Sequence, residues 1–150
     1  PDQDRTQWHR DEIDEATTML ATISGPMTPQ AAAYTLQARI AAEHAQAPTA
    51  ADTRWDRIVG FYDLLLEVSP SPSARLARAV AVAEQDGPVA GLAALDGVDL
   101  PSHRVASVRA ELLARQGEYD AARASYDQAI AACHNDVERA HLEQQRHALA

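Results

Sequence analysis

Thirty-two of the 150 residues are alanine and only six are glycine. Alanine loses no side-chain freedom in a helix and buries no polar atom there, so an alanine-rich chain favours helix over strand. Aromatic residues make up 5% of the sequence. A core so poor in rings has to form by close approach of helices through small side chains. The expectation is an all-α chain, one helical domain over residues 1–150. At this length roughly 70% of the unfolded surface can be buried.

Proline and glycine cut the sequence at intervals, and between the cuts the apolar period is helical. A first helix is predicted over 4–23, with Trp8, Ile13, Ala16, Met19, Leu20 and Ile23 on its inner side, ended by "SGPMTP". A second runs from about Gln30 to Ala47, turning Tyr34, Leu36, Ile40 and Ala41 inward. Asp52 starts a third through Trp55, Ile58, Tyr62, Leu65 and Leu66, which "SPSPS" stops. Proline suits a first helical turn and breaks an interior. A fourth helix follows over about Ser73–Gln85, with Leu76, Ala79, Val80 and Ala83 inside. A short fifth lies around Val89–Leu95, a sixth spans His103–Gln116, a seventh ends at Ala132, and a polar eighth covers Asp136–Leu149.

The stretch "GEYDAARASYDQA", residues 117–129, is the most informative. Gly117, Tyr119, Ala122, Tyr126 and Ala129 follow the second-helix half of a tetratricopeptide repeat, in which small residues sit where two antiparallel helices touch and larger ones fill the gaps. Ala110 takes the small position of the partner helix. Trp55, Ile58, Tyr62, Leu65 and Pro70 follow the same half more loosely, and Leu76, Ala79, Gly87 and Leu92 give a shortened unit. Residues 30–134 therefore read as about three stacked hairpins, preceded by a joining helix within 1–25 and followed by a capping helix in 135–150. Gly117 is expected as the left-handed residue that ends the sixth helix. Tyr119 and Tyr126, seven apart, are expected to wedge between hairpins.

The formal net charge is −9, and all 13 basic residues are arginine. Asp4, Asp11, Glu12, Asp14 and Glu15 crowd the first helix, and no arginine run offsets them. A nucleic-acid partner normally requires a basic face, so direct nucleic-acid binding is not expected. Without lysine there is no Schiff-base chemistry and no phosphate-loop lysine. No serine has the glycine neighbours of a nucleophile elbow, and no glycine-rich phosphate loop is present. The chain reads as not an enzyme and as needing no cofactor. Its lone cysteine, Cys133, fits a reducing cytoplasm. No apolar run approaches the ~18–20 residues of a membrane span, so no membrane partner is expected. The charged opening Pro1-Asp2-Gln3-Asp4 does not read as a signal peptide, and a start on proline reads as a fragment or trimmed chain.

Six histidines raise the question of a metal. His134, Glu138 and His141 would align on one continuous helix beside Cys133, but "HND" reads as a helix break that separates His134 from the others, and no metal site is expected. Glu43 and His44 are placed to hydrogen-bond a neighbouring hairpin. His9, His103 and His147 read as exposed.

The segments "DQDRTQWHRDEI", "YTLQARIAAEHA", "RWDRIVGFYDLLLEVSPSP", "LARAVAVAEQDGPVAGLAALD", "GEYDAARASYDQAI" and "ERAHLEQQ" follow one another in an order that spans almost the whole chain. Together they resemble the C-terminal, tetratricopeptide-like extension of a group of bacterial extracytoplasmic-function RNA polymerase sigma factors. Two departures stand out. The family's Gly-Pro before Tyr34 has moved upstream to Gly25 and Pro26, and Ala77 replaces an asparagine, which removes one hydrogen-bonding group from that helix face.

The resemblance implies a regulatory module whose partners are the other regions of the same sigma factor, RNA polymerase or a signalling protein. Asp2, Gln3, Asp4, Arg5 and Trp8 match the family's opening motif and are candidates for docking on the neighbouring region. Arg75, Arg78, Arg104 and Arg109 are the cations expected to face an open groove of the array, which could cradle a helix or peptide. The acidic balance suits a domain that should not compete for DNA. The alternative is a small-molecule sensor with a pocket between Trp8, Tyr34, Trp55 and Tyr62.

Overall fold

A computed structural model describes residues 4–149. A single 3₁₀ turn at Arg5–Gln7 is followed by eight α-helices, with no strand among the described residues. The all-α expectation holds, and within each unit neighbouring helices pair as tetratricopeptide-like hairpins. The chain groups into two compact units, Pro1–Ala74 and Arg75–Ala150.

In the first unit, α1 (Arg10–Thr22) packs on α2 (Pro29–Gln46), and α2 packs on α3 (Trp55–Val68). The predicted first helix starts late. Trp8 and His9 leave the helical path, and α1 begins only at Arg10. The cause is a pair of arginine contacts. One guanidinium nitrogen of Arg5 donates to the carbonyls of His44 (3.0 Å), Ala47 (2.9 Å) and Thr49 (3.2 Å), and Arg10 donates to Ala45 (3.0 Å). The last carbonyls of a helix have no partner within it, and these two arginines satisfy several at the end of α2. On one continuous helix, positions five apart would point about 140° apart. The break at Trp8–His9 lets both arginines reach the same helix end.

Thr28 caps α2 by accepting from the Ala31 N–H (3.2 Å), with Pro29 at the first helical position. The buried stripe of α2 is Ala33, Leu36, Ile40 and Glu43. Leu36 and Ile40 point inward as expected. Tyr34 does not: it lies one position off the stripe, about 100° round the helix, and is 65% exposed. Ala41, Ala16, Met19 and Ile23 are likewise exposed, and the half-buried side of α1 is Ile13, Thr17 and Leu20. On α3, Ile58 and Leu65 are buried and Trp55 and Tyr62 half-buried. This helix stops at Ser69, before the exposed Pro70, because a residue preceding proline is driven away from helical angles.

The second unit holds most of α4 (Pro72–Asp86), then α5 (Pro88–Leu95), α6 (His103–Arg115), α7 (Tyr119–Ala132) and α8 (Asp136–His147). One core joins Leu76, Ala79 and Ala83 of α4 to Leu95 and Leu112. Gly87 caps α5 at φ 91°. Gly91 permits a close approach of α5 to α4: a Cβ there would lie 2.4 Å from the Ala83 Cβ and 3.0 Å from Leu112 Cδ1.

A second core holds Ala110, Tyr126, Ala129, Cys133 and Leu142. The hairpin of α6 and α7 is built as the repeat pattern predicts, with Ala110, Ala122 and Ala129 wholly buried where its two helices meet. Gly117 is left-handed at φ 82°, and its N–H donates to Ala114 while that of Glu118 donates to Leu113, both at 3.0 Å. That bonding satisfies the last carbonyls of α6 and turns the chain back. Tyr126 is buried, but Tyr119 is 51% exposed. As the first residue of α7, Tyr119 stands beside the turn instead of against a helix, so only one of the two rings wedges.

Candidate functional site

Glu43 organises a cleft in the first unit. It occupies an apolar position of the α2 stripe and is only 4% exposed. A carboxylate that deep is unfavourable unless paired, and α3 supplies the pairing from its first turn. Arg54 Nε lies 2.8 Å from Glu43 Oε2, and Arg57 Nε lies 3.1 Å from Oε1. Oε2 makes no well-aligned hydrogen bond, so the Arg54 contact is an ion pair with its N–H aimed elsewhere. Both guanidinium side chains stay about half exposed. Arg54 also donates to Gln46 Oε1 (2.9 Å), and the Arg57 guanidinium lies over the Phe61 ring at 5.6 Å.

These groups line a cleft of about 490 Å³ between α1, α2 and α3, together with Leu20 and Arg39. Three arginines face one glutamate there, in a chain whose formal charge is −9. Beside it, the His44 ring meets Trp55 edge-on at 5.2 Å between centroids. Burial, and then the charge of Arg5, hold the His44 imidazole below its ordinary pKa, against a smaller opposite pull from Glu43. Sequence spacing already placed Glu43 and His44 at an interhelical contact. What it missed was the arginine pair, whose signal is an acid on the buried stripe facing "RWDR" at the start of the next helix.

Among the residues matching the family's opening motif, Asp2 and Gln3 lie outside the described residues. Asp4 accepts from Gln7 (2.9 Å), Arg5 clamps the end of α2, and Trp8 lies under the Arg5 guanidinium at 5.3 Å. Of the four groove cations, Arg75 is exposed and Arg78 half-buried with a partner of its own. Arg104 lies 3.8 Å from Glu138, and Arg109 lies 3.8 Å from Asp96. The aromatic pocket takes a different form from the one drawn on the sequence. Tyr34 lines a shallow hollow with Pro29, Gln30, Ala33, Gln37, Val68 and Ser69, which Trp8, Trp55 and Tyr62 do not share.

At the end of the second unit the break at "HND" is real: Asn135 caps α8 by accepting from the N–H groups of Val137 and Glu138. Glu138 meets His103 instead of His134, with Nε2 to Oε2 at 3.1 Å, and His103 is mostly buried where exposure was expected. Its place at the start of α6, against the first turn of α8, covers the ring. His103, Cys133 and Glu138 bring three potential ligand atoms within 4.8 Å of one another. Two arginines flank the trio: Arg104 beside Glu138, and Arg139 donating to the Cys133 carbonyl (3.4 Å). The Cys133 thiol donates to the Asn135 carbonyl (3.4 Å). The adjacent cations oppose capture of a metal cation.

No helix among the described residues is long and apolar enough to cross a membrane. No family model matches the chain, and no solved structure does. An uncharacterized protein of Rhizobium meliloti (strain 1021) is 38% identical over 152 residues, which take in 99% of this chain and 36% of that protein. The chain thus spans about a third of that relative's length.

Proposed function

We propose that this chain is a non-catalytic regulatory module that acts through protein contacts, the part played by the helical C-terminal extension of an extracytoplasmic-function sigma factor. The observation that carries this reading is the hairpin of α6 and α7. Its alanine seam, left-handed Gly117 and buried Tyr126 follow the repeat pattern used in protein recognition. Similarity to one third of a longer protein suits a module appended to other regions. The charge of −9 suits a place beside DNA-binding regions without competition for DNA.

In this reading the module works in the bacterial cytoplasm and touches the sigma regions, RNA polymerase or a signalling protein. It modulates transcription initiation without binding nucleic acid itself. The test is promoter-dependent transcription by the full-length factor and by the same factor lacking the segment of residues 1–150. A changed level of initiation at unchanged promoter selection supports modulation through protein contacts. Unchanged initiation refutes it.

A further inference from the structure

We infer that the cleft between α1, α2 and α3 is a binding site for a small organic dianion, a dicarboxylate or a phosphomonoester. The inference stands independently of the regulatory reading, because it rests on the charge and geometry of the first unit alone. Arg39, Arg54 and Arg57 line the cleft and Glu43 is its one acid, which leaves a local excess of two positive charges. In a chain this acidic, such an excess is a departure from the average that a doubly negative ligand would balance.

The arrangement also orients the cations. Glu43 sits beneath Arg54 and Arg57 and meets each through its Nε. Gln46 and the Phe61 ring fix the two guanidinium groups further. Terminal N–H groups of Arg57 thereby remain for an acceptor that enters from outside. Arg39 has no ion pair or hydrogen bond among the described residues, and it lines the same cleft. Planar guanidinium groups match carboxylate and phosphate oxygens with paired hydrogen bonds. The volume of about 490 Å³ is that of a small-molecule site, and Leu20 and Phe61 offer apolar contact to a short carbon chain.

The experiment is calorimetric titration of the 150-residue chain with succinate, glycerol 3-phosphate and inorganic phosphate, at low salt. Saturable binding of succinate or glycerol 3-phosphate is expected, and which of the two binds more tightly distinguishes a dicarboxylate site from a phosphomonoester site. Arg39→Gln is expected to weaken that binding about tenfold, since one charge-assisted hydrogen-bonded contact is removed. Arg39 supports no other group, so the variant should keep its helical circular dichroism. Arg104→Gln, in the second unit, should leave binding unchanged. Three results would overturn the inference: no saturable binding of either organic anion, equal binding by Arg39→Gln, or equal weakening by Arg39→Gln and Arg104→Gln, which marks diffuse charge attraction. Binding of inorganic phosphate alone would also overturn it, as an adventitious ion only.

Discussion

Replacing Gly91 by alanine should destabilise the second unit, although the same change inside an ordinary helix stabilises. The helix-propensity gain from glycine to alanine is about 1 kcal/mol. Against it stands a new Cβ placed 2.4 Å from the Ala83 Cβ and 3.0 Å from both the Ala83 Cα and Leu112 Cδ1. Carbon atoms prefer separations of about 3.5–4.0 Å, so α5 and α4 must separate by more than an ångström or distort. The Leu112 side chain can rotate away, but the Ala83 Cβ is fixed to its helix. Overpacking of this kind costs about 1–3 kcal/mol, and the rigid neighbour places Gly91 at the upper end. The net expectation is a loss of about 1–2 kcal/mol. With a urea dependence of about 2 kcal/mol per molar, the middle of the usual range, the midpoint should fall by roughly 0.5–1 M. Gly60 provides the control, because a Cβ there meets nothing within 4 Å. Gly60→Ala should raise the stability of the first unit by about 0.5–1 kcal/mol. Urea titration followed by far-ultraviolet circular dichroism reads both. The tryptophans, Trp8 and Trp55, report on the first unit. A Gly91→Ala protein as stable as the parent would refute the close-approach argument.

The two tyrosines of α7 should separate in the same assay. Tyr126→Ala should cost about 3–5 kcal/mol as a buried ring is lost, whereas Tyr119→Ala should stay within about 0.5 kcal/mol. His44 should make the first unit sensitive to mild acid. Its folded pKa lies below the ordinary 6.5, so the unfolded chain takes up the proton first, and stability falls as the pH drops through about 6.5 towards the lower folded value. His44→Gln should remove that component from thermal melts recorded across this window, and an unchanged pH profile would refute it. Cys133, 1% exposed, should resist an aromatic disulfide reagent under native conditions and react fully once urea unfolds the second unit. Rapid native labelling would contradict its burial.

The helices were legible because their boundaries are chemical. Pro29 and Pro88 begin helices, Gly117 ends one, and Asn135 starts the last. The alanine seam of α6 and α7 was legible for the same reason: only a small side chain lets two backbones meet, and Ala110, Ala122 and Ala129 recur at that spacing. The direction of the exposed rings was harder to read. Tyr34 and Tyr119 are apolar enough to be placed inside, and their exposure depends on which neighbouring helix is present, a tertiary fact. The late start of α1 was also hidden, since nothing local in "DQDRTQWHR" says that Arg5 will be drawn to carbonyls some forty residues away. The cleft was half visible. Glu43 on an apolar stripe announced a partner, but the choice of Arg54 and Arg57 follows from how α3 packs on α2.

Complex formation between this chain and its partner tests the regulatory reading most directly. If the regulatory reading holds, the 150-residue chain, supplied separately, co-elutes in gel filtration with RNA polymerase or with the other regions of the sigma factor proposed to carry it. Variants that open the α6–α7 seam, such as Ala122→Leu, should weaken that complex. Separate elution from both, at concentrations well above those of regulatory complexes, would contradict the account.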